Sequence, residues 1–319
     1  MKNLLLVIIV VVSFVACSNE VYNFDESPIE YLGHLNFGVA YSVRVKNNIA
    51  YVSHNKGVEI VDVSISRSPT KLSRIKIGDG AFGLELKGDY LYIAGDTDGL
   101  FIVDIKDPKF PKIISNFIDQ EGSYSVVKVK DDLAFVGVRN GKLIILDIKT
   151  PSKPRELKTL NIEGGLSNLV IAEDSLYLGT YNGIKLLDIN DIEDARIVDI
   201  GLNDVFAQGM IWFDSKLYIG SHKRGVKIFD ASNYLKPQLI GSFNDGGEAN
   251  GLYLVGQKLY VADSSTSVVE VLDVSNPQKP MEINEFLNCH PHGIVVKNNL
   301  LYIATVKQGL YILKLPNDV

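Results

Sequence analysis

Cysteine is nearly absent from this chain: Cys17 and Cys289 are the only two in 319 residues. Two distant thiols supply no disulfide framework, and there is no C-x-x-C or H-x-x-x-H spacing to preorganise a metal. No segment carries a 3.6-residue apolar period of helix length, which argues against a helical fold. The apolar stretch at residues 4–16 has 13 residues, too few to cross a bilayer as a helix. Basic residues are in the minority, 32 against 38 acidic, for a net charge of −6. No basic stripe with interleaved aromatics exists, so nucleic acid is not an expected partner. Gly164-Gly165 and Gly246-Gly247 lack the strand-to-helix context of a phosphate-binding loop and are taken as turns.

What the chain does have is a period. An aromatic recurs every 41–43 residues, at Tyr51, Tyr92, Phe135, Tyr177, Tyr218, Tyr260 and Tyr302. An acid follows at Asp62, Asp104, Asp147, Asp188, Asp230 and Asp273, with Lys314 in the seventh slot. Each unit resolves into four short runs of β-branched and aromatic residues bounded by Gly, Asn, Asp and Pro, which is the signature of strands. Four strands in a repeat of this length make one propeller blade. The predicted fold is therefore all-β, a seven-bladed β-propeller with four antiparallel strands per blade. The segment at residues 29–37 matches a fourth strand, whereas the chain ends on a third strand, Gly309–Lys314. The N-terminal strand is thus expected to complete the last blade and close the ring, which removes the exposed edges of an open array. The repeated Asp stands where a third strand meets a turn. Its expected role is to accept N–H bonds of that turn rather than to do chemistry.

The predicted domain limits are 1–16 for a signal peptide, 17–28 for a tether, 29–316 for the propeller and 317–319 for a tail. Lys2 followed by the apolar stretch fits a secretory signal. Phe14-Val15-Ala16-Cys17 resembles the bacterial lipobox, with Phe14 where Leu is usual. That resemblance implies lipidation of Cys17 and a tether to the cell envelope, at an outer membrane or cell surface; the alternative is an ordinary secretion signal with an incidental cysteine. Separately, the protein is expected to be a monomer. Several acyl chains would anchor it firmly.

Gly99-Leu100-Phe101-Ile102-Val103-Asp104-Ile105 and Gly57-Val58-Glu59-Ile60-Val61-Asp62-Val63 resemble the LVIVD repeat of bacterial and archaeal surface proteins. Leu186-Leu187-Asp188-Ile189, Ile228-Phe229-Asp230 and Val271-Leu272-Asp273-Val274 are degenerate copies. The resemblance implies a secreted or anchored propeller used for binding or scaffolding, and it transfers no catalytic residue.

Function is to be sought where the units differ. The loops leading into the innermost strands carry Tyr41, Phe82, Tyr124, Ser167, Gln208, Asn250 and His292, which should ring the mouth of the central channel. Three neighbouring aromatics would face Gln, Asn and His, a combination that suits a small ligand. The alternative is that they simply plug the channel. The predicted ligand-binding set is Tyr41, Phe82, Tyr124, Gln208, Asn250, His290 and His292. Cys289, His290 and His292, with Glu248 on the adjacent blade, are the sharpest local grouping of metal-capable side chains, of a kind that suits zinc or copper. Sequence neighbours diverge on an extended segment, so no metal or other cofactor is assigned. Asp79, Glu121, Glu163, Asp204, Asp245 and Glu248 place acids near the same face, where solvated loop carboxylates explain them equally well. Arg44 and Glu85 share a register on neighbouring blades and are expected to pair.

The favoured reading is a non-catalytic envelope module that binds a small polar ligand, a glycan or a protein at the channel face. One rival is a propeller enzyme, lactonase-like or a quinone- or metal-dependent oxidoreductase. Another is a pure protein–protein platform that uses rim turns such as Ser221-His222-Lys223-Arg224.

Overall fold

The computed structural model describes residues 29–316, apart from residues 120, 121, 204, 223, 245, 287 and 288. The signal, the tether with Cys17 and the tail at 317–319 lie outside the described residues, as do Glu121, Asp204 and Asp245. The described residues form 28 strands and no helix. These strands make seven antiparallel sheets of four, arranged as the blades of a propeller. The innermost strands of blades 1 to 7 are Ala40–Lys46, Leu84–Lys87, Tyr124–Lys130, Leu166–Ala172, Ala207–Phe213, Ala249–Val255 and Pro291–Lys297.

Six blades are built from consecutive strands. The seventh runs in the order Glu30–Leu35, Gly309–Lys314, Leu300–Thr305, Pro291–Lys297, so the N-terminal strand supplies its outer edge. Glu30 faces Lys314 and Leu35 faces Leu310 across that pair. The expected closure is therefore present. The innermost strands of blades 7 and 1 also pack directly together.

Each blade lies between two neighbours and buries both faces, which explains why its middle strands are apolar without alternation. Gly57–Asp62, for instance, is buried at every position but the last. The core is accordingly divided into seven clusters, one per blade interface. Each of the seven recurring aromatics belongs to a different cluster, and none is more than 4% exposed. Burial disfavours the phenolate and pushes Tyr51, Tyr92 and Tyr177 up to about 12.

The repeated acids act as turn acceptors. Asp62, Asp104, Asp147, Asp188, Asp230 and Asp273 each accept the backbone N–H two residues on, at 2.8–2.9 Å. Hydrogen bonds from that residue hold the carboxyls of Asp62, Asp147, Asp230 and Asp273 below the usual carboxylate range.

Candidate functional site

The channel wall is built by a bulge repeated around the ring. In blade 1, Ala40 pairs with His54 and Ser42 with Ser53, which leaves Tyr41 as the extra residue. The same two-against-one pairing frees Ser125, Ser167, Gln208, Asn250 and His292 in their blades. In blade 2, Ala94 bonds both Phe82 N–H and the Gly83 carbonyl, which gives Phe82 the same position. A bulge re-aims the side chain of its extra residue, and here all seven line one axial cavity of about 740 Å³. The strands converge tightly at this level. A Cβ on Gly251 would lie 2.5 Å from the His292 carbonyl oxygen, and one on Gly293 would lie 2.6 Å from that of Tyr41.

Five of the seven predicted binding residues line this cavity: Tyr41, Phe82, Gln208, Asn250 and His292. Tyr124 does not. It occupies the slot one residue earlier, equivalent to Ala40 and Leu166, and is fully buried in the core between blades 2 and 3. Its hydroxyl accepts the Asp119 N–H at 2.6 Å, which ties down the preceding loop. Ser125 stands in the ring instead. The sequence contains the signal for this, because every ring residue lies ten positions before its blade's recurring aromatic, and Phe135 points back to Ser125. His290 also lies off the cavity. It has φ +50°, and its Nδ1 bonds the Ser267 hydroxyl and lies 3.1 Å from the Ser264 carbonyl oxygen.

The ring is stitched together by its own side chains. His292 Nδ1–H donates to the Tyr41 carbonyl at 2.9 Å, joining blade 7 to blade 1. Nε2 of the neutral ring is then an acceptor. Burial lowers the His292 pKa most and Arg139 lowers it further, while the bond to Tyr41 opposes them. Ser167 donates its hydroxyl proton to the Ala207 carbonyl at 2.6 Å, and Ser125 donates to the Gly137 carbonyl at 3.3 Å. Gln208 Oε1 is buried with no hydrogen-bond partner. Tyr41 stacks at a tilt on Phe82, with centroids 4.9 Å apart, and meets His292 edge-on at 5.9 Å.

A second tier lies three residues further along each innermost strand. Blades 1 to 3 place Arg44, Glu85 and Lys128 there, and blades 4 to 7 place Val170, Ile211, Tyr253 and Val295. The expected Arg44–Glu85 pair is present at 3.6 Å, and Lys128 joins it from the other side at 3.2 Å. Burial pulls the Lys128 ammonium below its ordinary value, Glu85 opposes this, and Arg44 adds to it. Lys128 is the residue that the Ser125 register would have revealed.

The rim adds groups that sequence reasoning did not single out. Arg139, in a turn of blade 3, sits 4.4 Å over the Phe82 ring. Tyr181 and Phe206 make an edge contact at 4.9 Å on the far side, and Phe206 leads on to His222 at 5.4 Å. Arg139, Tyr181 and His222 each lie four residues after their blade's recurring aromatic and Phe206 lies two before Gln208, but the residue type at these offsets changes from blade to blade, so no repeated residue marks them.

The four metal-capable side chains separate. Cys289 is buried in the core between blades 6 and 7, His290 bonds the serines, and His292 lines the channel. Glu248 lies 3.1 Å from His222. Among the described residues no group of three or more His, Cys, Asp or Glu is placed to hold a metal ion.

Fold and site define a seven-bladed β-propeller with a recessed, chemically two-sided cavity at its hub. The chain belongs to the LVIVD repeat family, whose model matches residues 37–75, 80–119, 121–161 and 246–288, a little over half of it. Those stretches are blades 1, 2, 3 and 6. Comparison with curated proteins found no match. Among solved structures, the chain is similar to the computationally designed Ika8 protein, with a TM-score of 0.66 and 13% identity over 86% of this chain and 83% of that one. It is likewise similar to BamB from Moraxella catarrhalis, with a TM-score of 0.61 and 15% identity over 88% and 84%. At such identities the likeness is one of fold.

Proposed function

We propose that this protein is a lipid-anchored binding module of the cell envelope that holds a small polar ligand in its axial cavity and catalyses nothing itself. The observation that carries the reading is the cavity. Its 740 Å³ falls within the usual range for small-molecule sites. Its wall is asymmetric on an otherwise regular wheel, with stacked aromatics on blades 1 and 2, amide and imidazole groups on blades 5 to 7, and a second aromatic pair, Tyr181 and Phe206, on the far rim. A plug needs no such division of chemistry. The apolar stretch at residues 4–16, directly before Cys17, supports the anchor. The reading assigns the protein no cofactor.

The test is a thermal-shift screen of the detergent-solubilised full chain against metabolite and glycan libraries, repeated with Tyr41→Ala and His292→Ala. Hits are expected to weaken in both variants. Hits indifferent to both would remove the cavity as the site. For the anchor, Cys17→Ser is expected to abolish incorporation of an alkyne-labelled fatty acid and release the chain from membranes.

A further inference from the structure

We propose that the axial cavity takes an anionic sugar, carboxylated or phosphorylated, with its hydroxyls at the mouth and its acidic group seated by Arg44 and Lys128. The inference rests on the channel-site reading above and specifies the ligand.

Charge is the first argument. The chain as a whole carries −6, yet the charged residues lining the cavity are Arg44, Lys128 and Arg139 against Glu85 alone. Glu85 Oε2 is shared between Arg44 at 3.6 Å and Lys128 at 3.2 Å. One carboxylate between two cations leaves the second tier with a positive excess, and Arg139 adds another positive charge at the rim. An unbalanced charge in a recess walled by Val170, Ile211 and Val295 is weakly solvated and favours an anion.

Hydrogen-bonding polarity is the second argument. At the mouth, His292 Nδ1 and the hydroxyl protons of Ser125 and Ser167 are engaged with backbone carbonyls. What they leave for a ligand are acceptors: imidazole Nε2 and hydroxyl oxygens. Acceptors at the mouth suit a ligand rich in O–H donors, and cations below suit one acidic group. The Tyr41 and Phe82 faces supply the surface on which the C–H side of a sugar ring packs. The two tiers are three residues apart along the strand, about 10 Å, a depth that one or two sugar rings span.

The test is titration calorimetry on the full chain in detergent with two matched pairs. One is digalacturonate with its dimethyl ester, the other glucose 6-phosphate with glucose. Trp212 is the single tryptophan and lines the cavity, so its emission reports occupancy independently. At least one anionic member is expected to bind tenfold or more tighter than its neutral partner at low salt and to shift Trp212 emission. Lys128→Met is expected to bring that ratio towards one. Arg139→Gln, at an exposed rim position, should weaken the anion several-fold without lowering Tm. Equal binding of charged and neutral partners overturns the charge assignment and leaves the channel site standing. An anion preference that survives both substitutions also overturns it. Absence of binding by all four probes overturns the anionic-sugar inference, while the channel reading is judged separately by the library screen.

Discussion

Glu30 Oε2 lies 3.9 Å from Lys314 Nζ, and the two residues are register partners in the sheet that closes the ring. The other blades carry a turn-holding Asp in the slot of Lys314. Here the strand needs no turn, and a cation faces the incoming acid instead. Both side chains are nearly half exposed, at 49% and 46%, so the pair adds little stability. The weight of closure falls on apolar groups. Ile29 and Tyr31 enter the core between blades 6 and 7, while Leu32, Leu35 and Phe37 pack into the one between blades 7 and 1.

Deletion of residues 29–37 should therefore unmake the ring. Full burial of a large apolar side chain contributes about 1.5–3 kcal/mol; Ile29 is buried and Tyr31, Leu32, Leu35 and Phe37 are partly buried, so together they supply a large share of the stability of an ordinary domain, about 5–15 kcal/mol. Circular dichroism melting of the truncated chain is expected to show a transition at least 10 °C lower (an order-of-magnitude figure from those contributions) or none. Lys314→Ala should stay within about 0.5 kcal/mol of the parent. An unchanged melt after the deletion would mean that closure is not what stabilises the wheel.

Much of this was legible in the sequence because every blade solves the same packing problem. The aromatics, the turn acids, the blade count and the donated strand all follow from a requirement repeated seven times. The site is less legible because it uses residues that break the repeat. Tyr124 shows the cost of reading a loop by residue type, since an aromatic one residue from the expected slot draws the eye, while the bulge register selects Ser125. Arg139, Tyr181 and Phe206 stand at fixed offsets of the repeat, but at positions where the residue type changes from blade to blade. Glu59 also escaped notice. It is fully buried in blade 1, with Arg74 at 2.7 Å and Lys71 at 2.9 Å, where the near-continuous apolar run reveals the strand but not the partners on the neighbouring outer strand.

The turn acids give a test of structure against chemistry. Asp62→Ala or Asp147→Ala removes one backbone N–H acceptor and should cost about 0.5–1.5 kcal/mol in urea unfolding. Asp→Asn at the same positions keeps a carbonyl oxygen for that N–H and should recover about half or more of the loss. Ligand binding should be unchanged in all four variants. A binding defect without a stability defect would reassign these acids.

Acid sensitivity should appear in two separate windows. Burial is the leading cause that lowers the pKa of His34, His54 and His292, so each holds fewer protons folded than unfolded. Stability then rises with pH through this range. It is complete above the unfolded value, about 6.5, and falls as pH drops below it towards the folded values. The depressed carboxyls of Asp62, Asp147, Asp230 and Asp273 lose their contribution only below about 3.9. Tm measured from pH 8 to 5 is expected to begin falling near pH 6.5. His54→Asn keeps an acceptor for the Lys56 N–H, which His54 Nδ1 binds at 3.2 Å, and should flatten that slope. A Tm that is flat or rising on acidification contradicts the burial argument.

Tyr124 and Tyr41, one slot apart in equivalent strands, should dissociate stability from binding. Tyr124 is fully buried and holds the Asp119 loop, so truncation leaves a cavity and strands a backbone N–H. Tyr124→Ala should cost about 3–5 kcal/mol, the range for large aromatics in cores. Tyr41 is half-buried and contributes mainly through its contacts with Phe82 and His292, so Tyr41→Ala should cost about 0.5–1.5 kcal/mol. With any ligand found in the screen the order should reverse. At a temperature where both variants are folded, Tyr41→Ala should lose tenfold or more in affinity and Tyr124→Ala less than threefold (tenfold being about 1.4 kcal/mol). The bulge turns Tyr41 into the channel and its neighbour's slot into the blade interface. Were Tyr124→Ala the variant that loses binding while remaining folded, the ring would have to be redrawn one residue earlier in blade 3, and the cavity would not be the site.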